Sequence, residues 1–123
     1  MPKILIVEDE RALAGALMDK FEKEGFTTSL AFDGEEGLEL ALNTHPDIIL
    51  LDIIMPKMDG LTMLERLRRD YWGANVPVIM LTNLSDELKV TEAIKNGSFD
   101  YLVKSDWTIN DVVDKVKKRL VSA

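Results

Sequence analysis

Asp47-Ile-Ile-Leu-Leu-Asp52 is the stretch that decides the fold of this chain. A strand with one wet face alternates apolar and polar residues, whereas an unbroken apolar run needs cover on both faces, as in a parallel sheet. Lys3–Val7 (KILIV) and Val76–Leu81 (VPVIML) have the same character. Thr27–Phe32 and Phe99–Val103 are weaker and more alternating, which suits strands nearer the sheet edges.

Helical spacing fills the intervals. Leu13, Leu17 and Phe21 recur every fourth residue, and Gly25 sits where helices end. Asp33–Gly34 opens a second stretch with Leu38, Ala41 and Leu42 on one face. Leu61, Leu64 and Leu67 mark a third; Leu88, Ala93 and Ile94, closed by Asn96–Gly97, mark a fourth. Thr108 caps the last, whose stripe is Ile109, Val112, Val113, Val116 and Leu120. Five strands alternating with five helices define an α/β chain with a parallel sheet, because each right-handed crossover needs a helix's length. Five units are too few for an eight-fold barrel, so the sheet is open and doubly wound. Its ligand site is expected at the carboxyl ends of the strands.

Reading the residue after each apolar run locates that site. Glu8 and Asp9 follow the first, Asp52 the third, Thr82 the fourth and Lys104 the fifth. Three carboxylates at one end of a sheet are costly: two unit charges about 5 Å apart repel by roughly 3 kcal/mol at an effective dielectric near 20. A cation or a shared proton must offset that. Oxygen-only ligands suit a hard divalent ion, and one or two carboxylates plus waters is the habit of Mg²⁺. A lysine and a threonine hydroxyl beside them supply what a phosphoryl group needs around its oxygens, and a carboxylate can attack phosphorus to give an aspartyl-phosphate. An acid after a strand is also an ordinary turn former or helix cap, but that all five residues end strands is hard to put down to chance.

Composition bounds the alternatives. The chain has 123 residues, 46% hydrophobic and 30% charged, as one folded domain spanning 1–123 would have. No cysteine is present, which excludes a disulfide scaffold, a thiolate zinc site and a cysteine nucleophile. Lys and Arg total 15 against 22 Asp and Glu, a net charge of −7, and no basic stretch occurs before Lys115, Lys117, Lys118 and Arg119. Nucleic-acid binding draws on phosphate neutralisation, so no direct nucleic-acid partner is expected. No apolar run approaches the ~20 residues of a membrane span and no signal-peptide pattern opens the chain, so a soluble, cytoplasmic protein is expected. Nucleotide fingerprints of the G-x-G-x-x-G or G-x-x-x-x-G-K-[ST] kind are missing. His45, the sole histidine, reads as a solvated loop residue; Met55 and Met58 read as packing around Pro56, and Trp72 and Trp107 as partly buried at the sheet rim.

Ile4–Val7 with Glu8–Asp9, Asp52-Ile-Ile-Met-Pro-Lys-Met-Asp-Gly60, Met80-Leu-Thr82 and Gly97-Ser-Phe-Asp-Tyr-Leu-Val-Lys104 together resemble the receiver domains of two-component response regulators, of the chemotaxis-regulator kind. The resemblance runs from Pro2 to about Val121. It implies a flavodoxin-like, five-stranded, doubly wound sheet of order 2-1-3-4-5 with five helices. It implies that Asp52 accepts a phosphoryl group from a phosphohistidine on a sensor histidine kinase or phosphotransfer protein. Asp9 and Asp52 would hold Mg²⁺, with Ile54 lending its backbone carbonyl and Glu8 acting through water. Lys104 would pair with the phosphoryl group, Thr82 would move to hydrogen-bond it, and Tyr101 would swing from exposed to buried. Pro56 and Gly60 would shape the loop after Asp52. Signal would leave through the fourth helical stretch, fifth strand and fifth helix to a downstream protein target, from a monomer or a phosphorylation-dependent dimer.

Three departures stand out: Ser105 follows Lys104 where proline is usual, Asn83 follows Thr82 where a small residue is usual, and Ile54 and Leu84 are both apolar. Neither Ile54 nor Leu84 can orient water, which implies slow spontaneous dephosphorylation. Two other classes stay open on the residues alone. One is a Mg²⁺-dependent phosphohydrolase with Asp52 as nucleophile; the other is an interaction domain that keeps the fold without being phosphorylated.

Overall fold

The computed structural model describes residues 2–53, 55–82, 100–103 and 108–122, with the side chains of 82, 100–103 and 122 left aside. Along the chain these residues form β1 (Lys3–Val7), α1 (Arg11–Lys23), β2 (Thr27–Ala31), α2 (Gly34–Thr44), β3 (Ile48–Asp52), α3 (Gly60–Arg69), β4 (Val78–Thr82), β5 (Asp100–Val103) and α4 (Ile109–Ser122). The strands make one parallel sheet in the order β2-β1-β3-β4-β5, so the two weaker strands are the edges, as their alternation requires. The helix expected around Leu88, Ala93 and Ile94 falls outside the described residues, which hold four helices.

The unbroken apolar runs are explained by two cores, one on each face. Leu5, Val7, Ile49, Leu51, Val78 and Met80 point to one side, where Ala41 of α2 and Met63, Leu64 and Leu67 of α3 cover them. Their alternates Ile4, Ile6, Ile48, Leu50, Ile79 and Leu81 point to the other, under Leu17 and Phe21 of α1 and Val112, Val113 and Val116 of α4. Side chains alternate across a strand, so a strand covered twice has no polar position to spare.

Local chemistry sets the helix ends. Asp33 and Asp59 accept the N–H groups of Glu36 and Thr62, each at 2.8 Å, and so cap α2 and α3. Thr108 and Asp111 exchange bonds at the start of α4. Gly25 ends α1 with φ +92°, a left-handed turn that glycine adopts without cost.

Asp52 and Thr82 are the last residues of β3 and β4, the strand ends where the sequence puts them, and Asp52 lies opposite Leu81. The structure corrects two other sequence readings. Val76 and Pro77 precede β4, since proline cannot donate, although the Pro77 carbonyl still accepts from Ile49 at 3.0 Å. On α2 and α3 the sheet-facing line runs through Gly34, Gly37 and Ala41, and through Gly60, Met63, Leu64 and Leu67, leaving Leu38, Leu42 and Leu61 only partly covered. Glycine lets α2 press closer than leucine could: a Cβ on Gly37 would lie 2.8 Å from Val7.

His45 ends α2 in a left-handed conformation and its ring stacks on Trp72 with centroids 4.2 Å apart. It is exposed as expected, but it is a contact between two loops at the amino end of the sheet. Met55, Met58 and Trp72 pack as expected; Trp107 lies outside the described residues.

Candidate functional site

Register alone brings the acids together. Val7 lies opposite Leu51 in the parallel β1–β3 pair, so Glu8, Asp9 and Asp52 emerge at the same end, about one strand spacing (~4.8 Å) apart. A carboxylate oxygen from each of Glu8, Asp9 and Asp52 lies within 4.8 Å of the other two. Glu8 is fully buried and Asp52 is 2% exposed, while Asp9 faces solvent. Glu8 is fastened by its N–H to the Ala31 carbonyl at 3.0 Å, and its carboxylate accepts from the N–H of Glu10 at 3.2 Å. Two buried acids and a third within reach are unfavourable by themselves. An all-oxygen set with one open side fits a hard divalent cation that keeps some of its water. Among the described residues this is the one cluster of three metal-ligating side chains.

The segment after Asp52 is held by main-chain bonds. Ile53 donates to Leu81 at 3.2 Å, and Gly60 donates back to the Ile53 carbonyl at 2.7 Å, closing the loop. Gly60 lies so near that a Cβ there would stand 2.0 Å from the Asp52 carbonyl oxygen. Between them Met58 donates to the Pro56 carbonyl at 2.7 Å around Lys57, whose φ is +65°. That is a γ-turn, a strained conformation for a residue bearing a Cβ. The Met58 carbonyl accepts from Gly34 at 3.1 Å, and the Lys57 ammonium lies 3.8 Å from the Asp33 carboxylate, so the loop leans on the start of α2. Asp33 was legible as the opening of α2; its contact with Lys57, and the turn at Lys57, left no pattern in the sequence. Nor did the Arg11 guanidinium, 4.0 Å over the Phe32 ring.

Of the residues expected at the site, the structure brings Glu8, Asp9 and Asp52 together and puts the backbone of Thr82 at the same end of β4. Tyr101 lies on β5 opposite Met80. Ile54 and Lys104 fall outside the described residues, as do Asn83, Leu84 and Ser105. The basic positions near the C-terminus belong to α4, where Lys117 pairs with Glu24, the residue that caps the end of α1. Among the described residues no helix is long and apolar enough to cross a membrane.

An open parallel sheet carrying an acidic, oxygen-only cup at its carboxyl edge defines a flavodoxin-like α/β domain whose acid cluster could hold a metal ion. Its family follows from comparison with known proteins. The profile of the response regulator receiver domain matches residues 4–117, and the chain belongs to that family, the receiver domains of two-component systems. It is 37% identical over 120 residues to the DNA-binding dual master transcriptional regulator RpaA of Synechocystis, covering 98% of this chain and 49% of that one. It is 38% identical over 102 residues to the transcriptional regulatory protein DltR of Streptococcus agalactiae, covering 83% and 45%. The chain thus spans about half the length of these curated relatives.

Among solved structures, the receiver domain of the Francisella response regulator 1452 superposes with a TM-score of 0.90 at 35% identity, covering 99% of this chain and 98% of that one. Chemotaxis protein CheY4 of Vibrio cholerae gives 0.89 at 25% identity, covering 96% and 98%. One expectation needs correction. RpaA is by its name a DNA-binding protein, so the low basic content of this chain does not carry the conclusion that nucleic acid has no part.

Proposed function

We propose that this receiver domain, taken as one unit across 1–123, is a phosphorylation switch with Asp52 as acceptor and Mg²⁺ as its metal. The observation that carries the reading is the convergence of Glu8, Asp9 and Asp52 oxygens within 4.8 Å at the carboxyl ends of β1 and β3. Asp9 and Asp52 would supply direct ligands to Mg²⁺, Glu8 would act through water, and the Ile54 carbonyl would complete the protein's share. Bound there, the ion would offset the acids' mutual repulsion and neutralise charge on phosphoryl oxygens. One Asp52 oxygen forms the new O–P bond as the N–P bond of a kinase phosphohistidine breaks, and the imidazole leaves with its electron pair. Lys104 pairs with the transferred group and Thr82 hydrogen-bonds it. Gly60 keeps the backbone beside Asp52 in place, because no larger residue fits there.

Thr82 ends β4 next to Val103 of β5, the strand that carries Tyr101, which supports a route from the site to the face of β5 and α4. Phosphate biases two existing arrangements of that face rather than building a new one. The partners are a histidine kinase or phosphotransfer protein and a downstream protein, in the cytoplasm, with the chain a monomer or a phosphorylation-dependent dimer. An apolar Ile54 two residues after Asp52 leaves attacking water unoriented, which favours a switch with a long-lived phosphoryl group over a phosphohydrolase. Incubation with Mg²⁺ and acetyl phosphate followed by intact mass is the test. One phosphoryl group is expected on the wild type and none on Asp52→Asn. An unmodified wild type would favour a phosphate-independent interaction domain, and steady phosphate release would favour the hydrolase.

A further inference from the structure

Lys57 is out of place by backbone preference. At φ +65° a residue with a Cβ is disfavoured where glycine would not be. Its side chain does something glycine could not: the ammonium meets the Asp33 carboxylate at 3.8 Å. Asp33 is only 14% exposed and uses its other oxygen to cap α2 through Glu36. The adjoining bond from Gly34 to the Met58 carbonyl is equally demanding, since a Cβ on Gly34 would stand 2.1 Å from that oxygen. Turn, ion pair and main-chain bond all join the loop after Asp52 to the first turn of α2.

We propose that Lys57 is a positioning residue: its left-handed turn and its pairing with Asp33 hook the loop after Asp52 onto α2, and so set how well the acidic cup takes a divalent cation and a phosphoryl group. This deepens the reading of Asp52 given above and rests on it for the phosphoryl part. It also makes the start of α2 a lever on the site, since whatever moves Asp33 relaxes the loop.

Charge and position make opposite forecasts. By charge alone, removing the Lys57 cation tightens Mg²⁺ at the nearby acids, and removing the Asp33 anion weakens it. Positioning weakens both. The full chain is compared as wild type, Lys57→Gly, Lys57→Arg and Asp33→Asn, with the Mg²⁺ Kd measured by calorimetry, melting recorded in chelator, and the rate and half-saturation for acetyl phosphate followed by mass. Asparagine still caps a helix, so Asp33→Asn leaves melting close to wild type. Both Asp33→Asn and Lys57→Gly are expected to weaken Mg²⁺ about two- to fivefold, the scale of a partly exposed ion pair. Lys57→Gly is expected to melt higher than wild type at the same time, and Lys57→Arg to restore most of the Mg²⁺ affinity. Shifts of opposite sign, or unchanged Kd values in both variants, would overturn the proposal. A wild type that binds Mg²⁺ but takes no phosphoryl group would sink the assignment of Asp52 instead, and the metal measurements would still decide the role of Lys57.

Discussion

Replacing Asp9 by asparagine removes one charge from the acidic cup while keeping the side chain's size. Its oxygen lies within 4.8 Å of oxygens of Glu8 and Asp52, both buried. At that distance a pair of unit charges repels by about 3.5 kcal/mol at an effective dielectric near 20 and by about 0.9 kcal/mol in bulk water. Asp9 faces solvent, so each of its two repulsions belongs near the lower figure, and together they come to about 2 kcal/mol. Unfolding entropy near the midpoint is about 0.26 kcal/mol per kelvin for 123 residues, which turns this into a rise of about 8 °C in melting temperature without metal. Saturating Mg²⁺ narrows the gap. At one hundred times its Kd the ion adds about 2.7 kcal/mol to the wild type, and the variant, one ligand short, gains less. Melts in chelator and in excess Mg²⁺ read both effects. Asp9→Asn melting below wild type in chelator would refute the idea that the acids are held together against their repulsion.

Three further outcomes are expected. Gly60→Ala forces a Cβ to within 2.0 Å of the Asp52 carbonyl oxygen, so the loop must shift; a stability loss of about 1–3 kcal/mol with weaker Mg²⁺ binding is expected in melts and titration. Arg68 is half-buried and donates to the carbonyls of Gly73 and Val76 at 2.7 and 2.8 Å, and burial lowers its pKa. Arg68→Ala leaves both carbonyls short of a donor and should cost about 2–3 kcal/mol by denaturant titration, with phosphorylation intact in the folded fraction. The Lys117 ammonium, by hydrogen bond and then by charge, holds the Glu24 carboxyl below its ordinary 4.5. A carboxyl depressed in the folded state stabilises above its unfolded pKa, and that share is lost as pH falls through the folded value. Wild type and Glu24→Gln should therefore differ in melting temperature at neutral pH and converge well below 4.5; a constant gap would contradict the pairing.

Much was determined by the order of residues alone. Runs such as Ile48–Leu51 have no polar position, so they must be covered twice, and alternation with helical spacing then leaves a parallel doubly wound sheet. Acids at the ends of two such strands announce a site because ending a strand puts a residue at the sheet's edge. Strand order and register were not in the pattern: the reach of Glu8 to Asp52 follows from Val7 lying opposite Leu51, a pairing between residues more than forty apart in the chain. The inward faces of α2 and α3 were legible from Ala41, Leu64 and Leu67, but not the deepest line within each, which depends on that register too. Hydropathy favours Leu38 and Leu61, yet the closest approaches are made at glycines, where a Cβ on Gly37 or Gly60 would collide with Val7 or with the Asp52 carbonyl. The turn at Lys57 and its hold on Asp33 belong wholly to the folded chain, because a left-handed lysine is unfavourable locally and persists only where distant contacts make up for it.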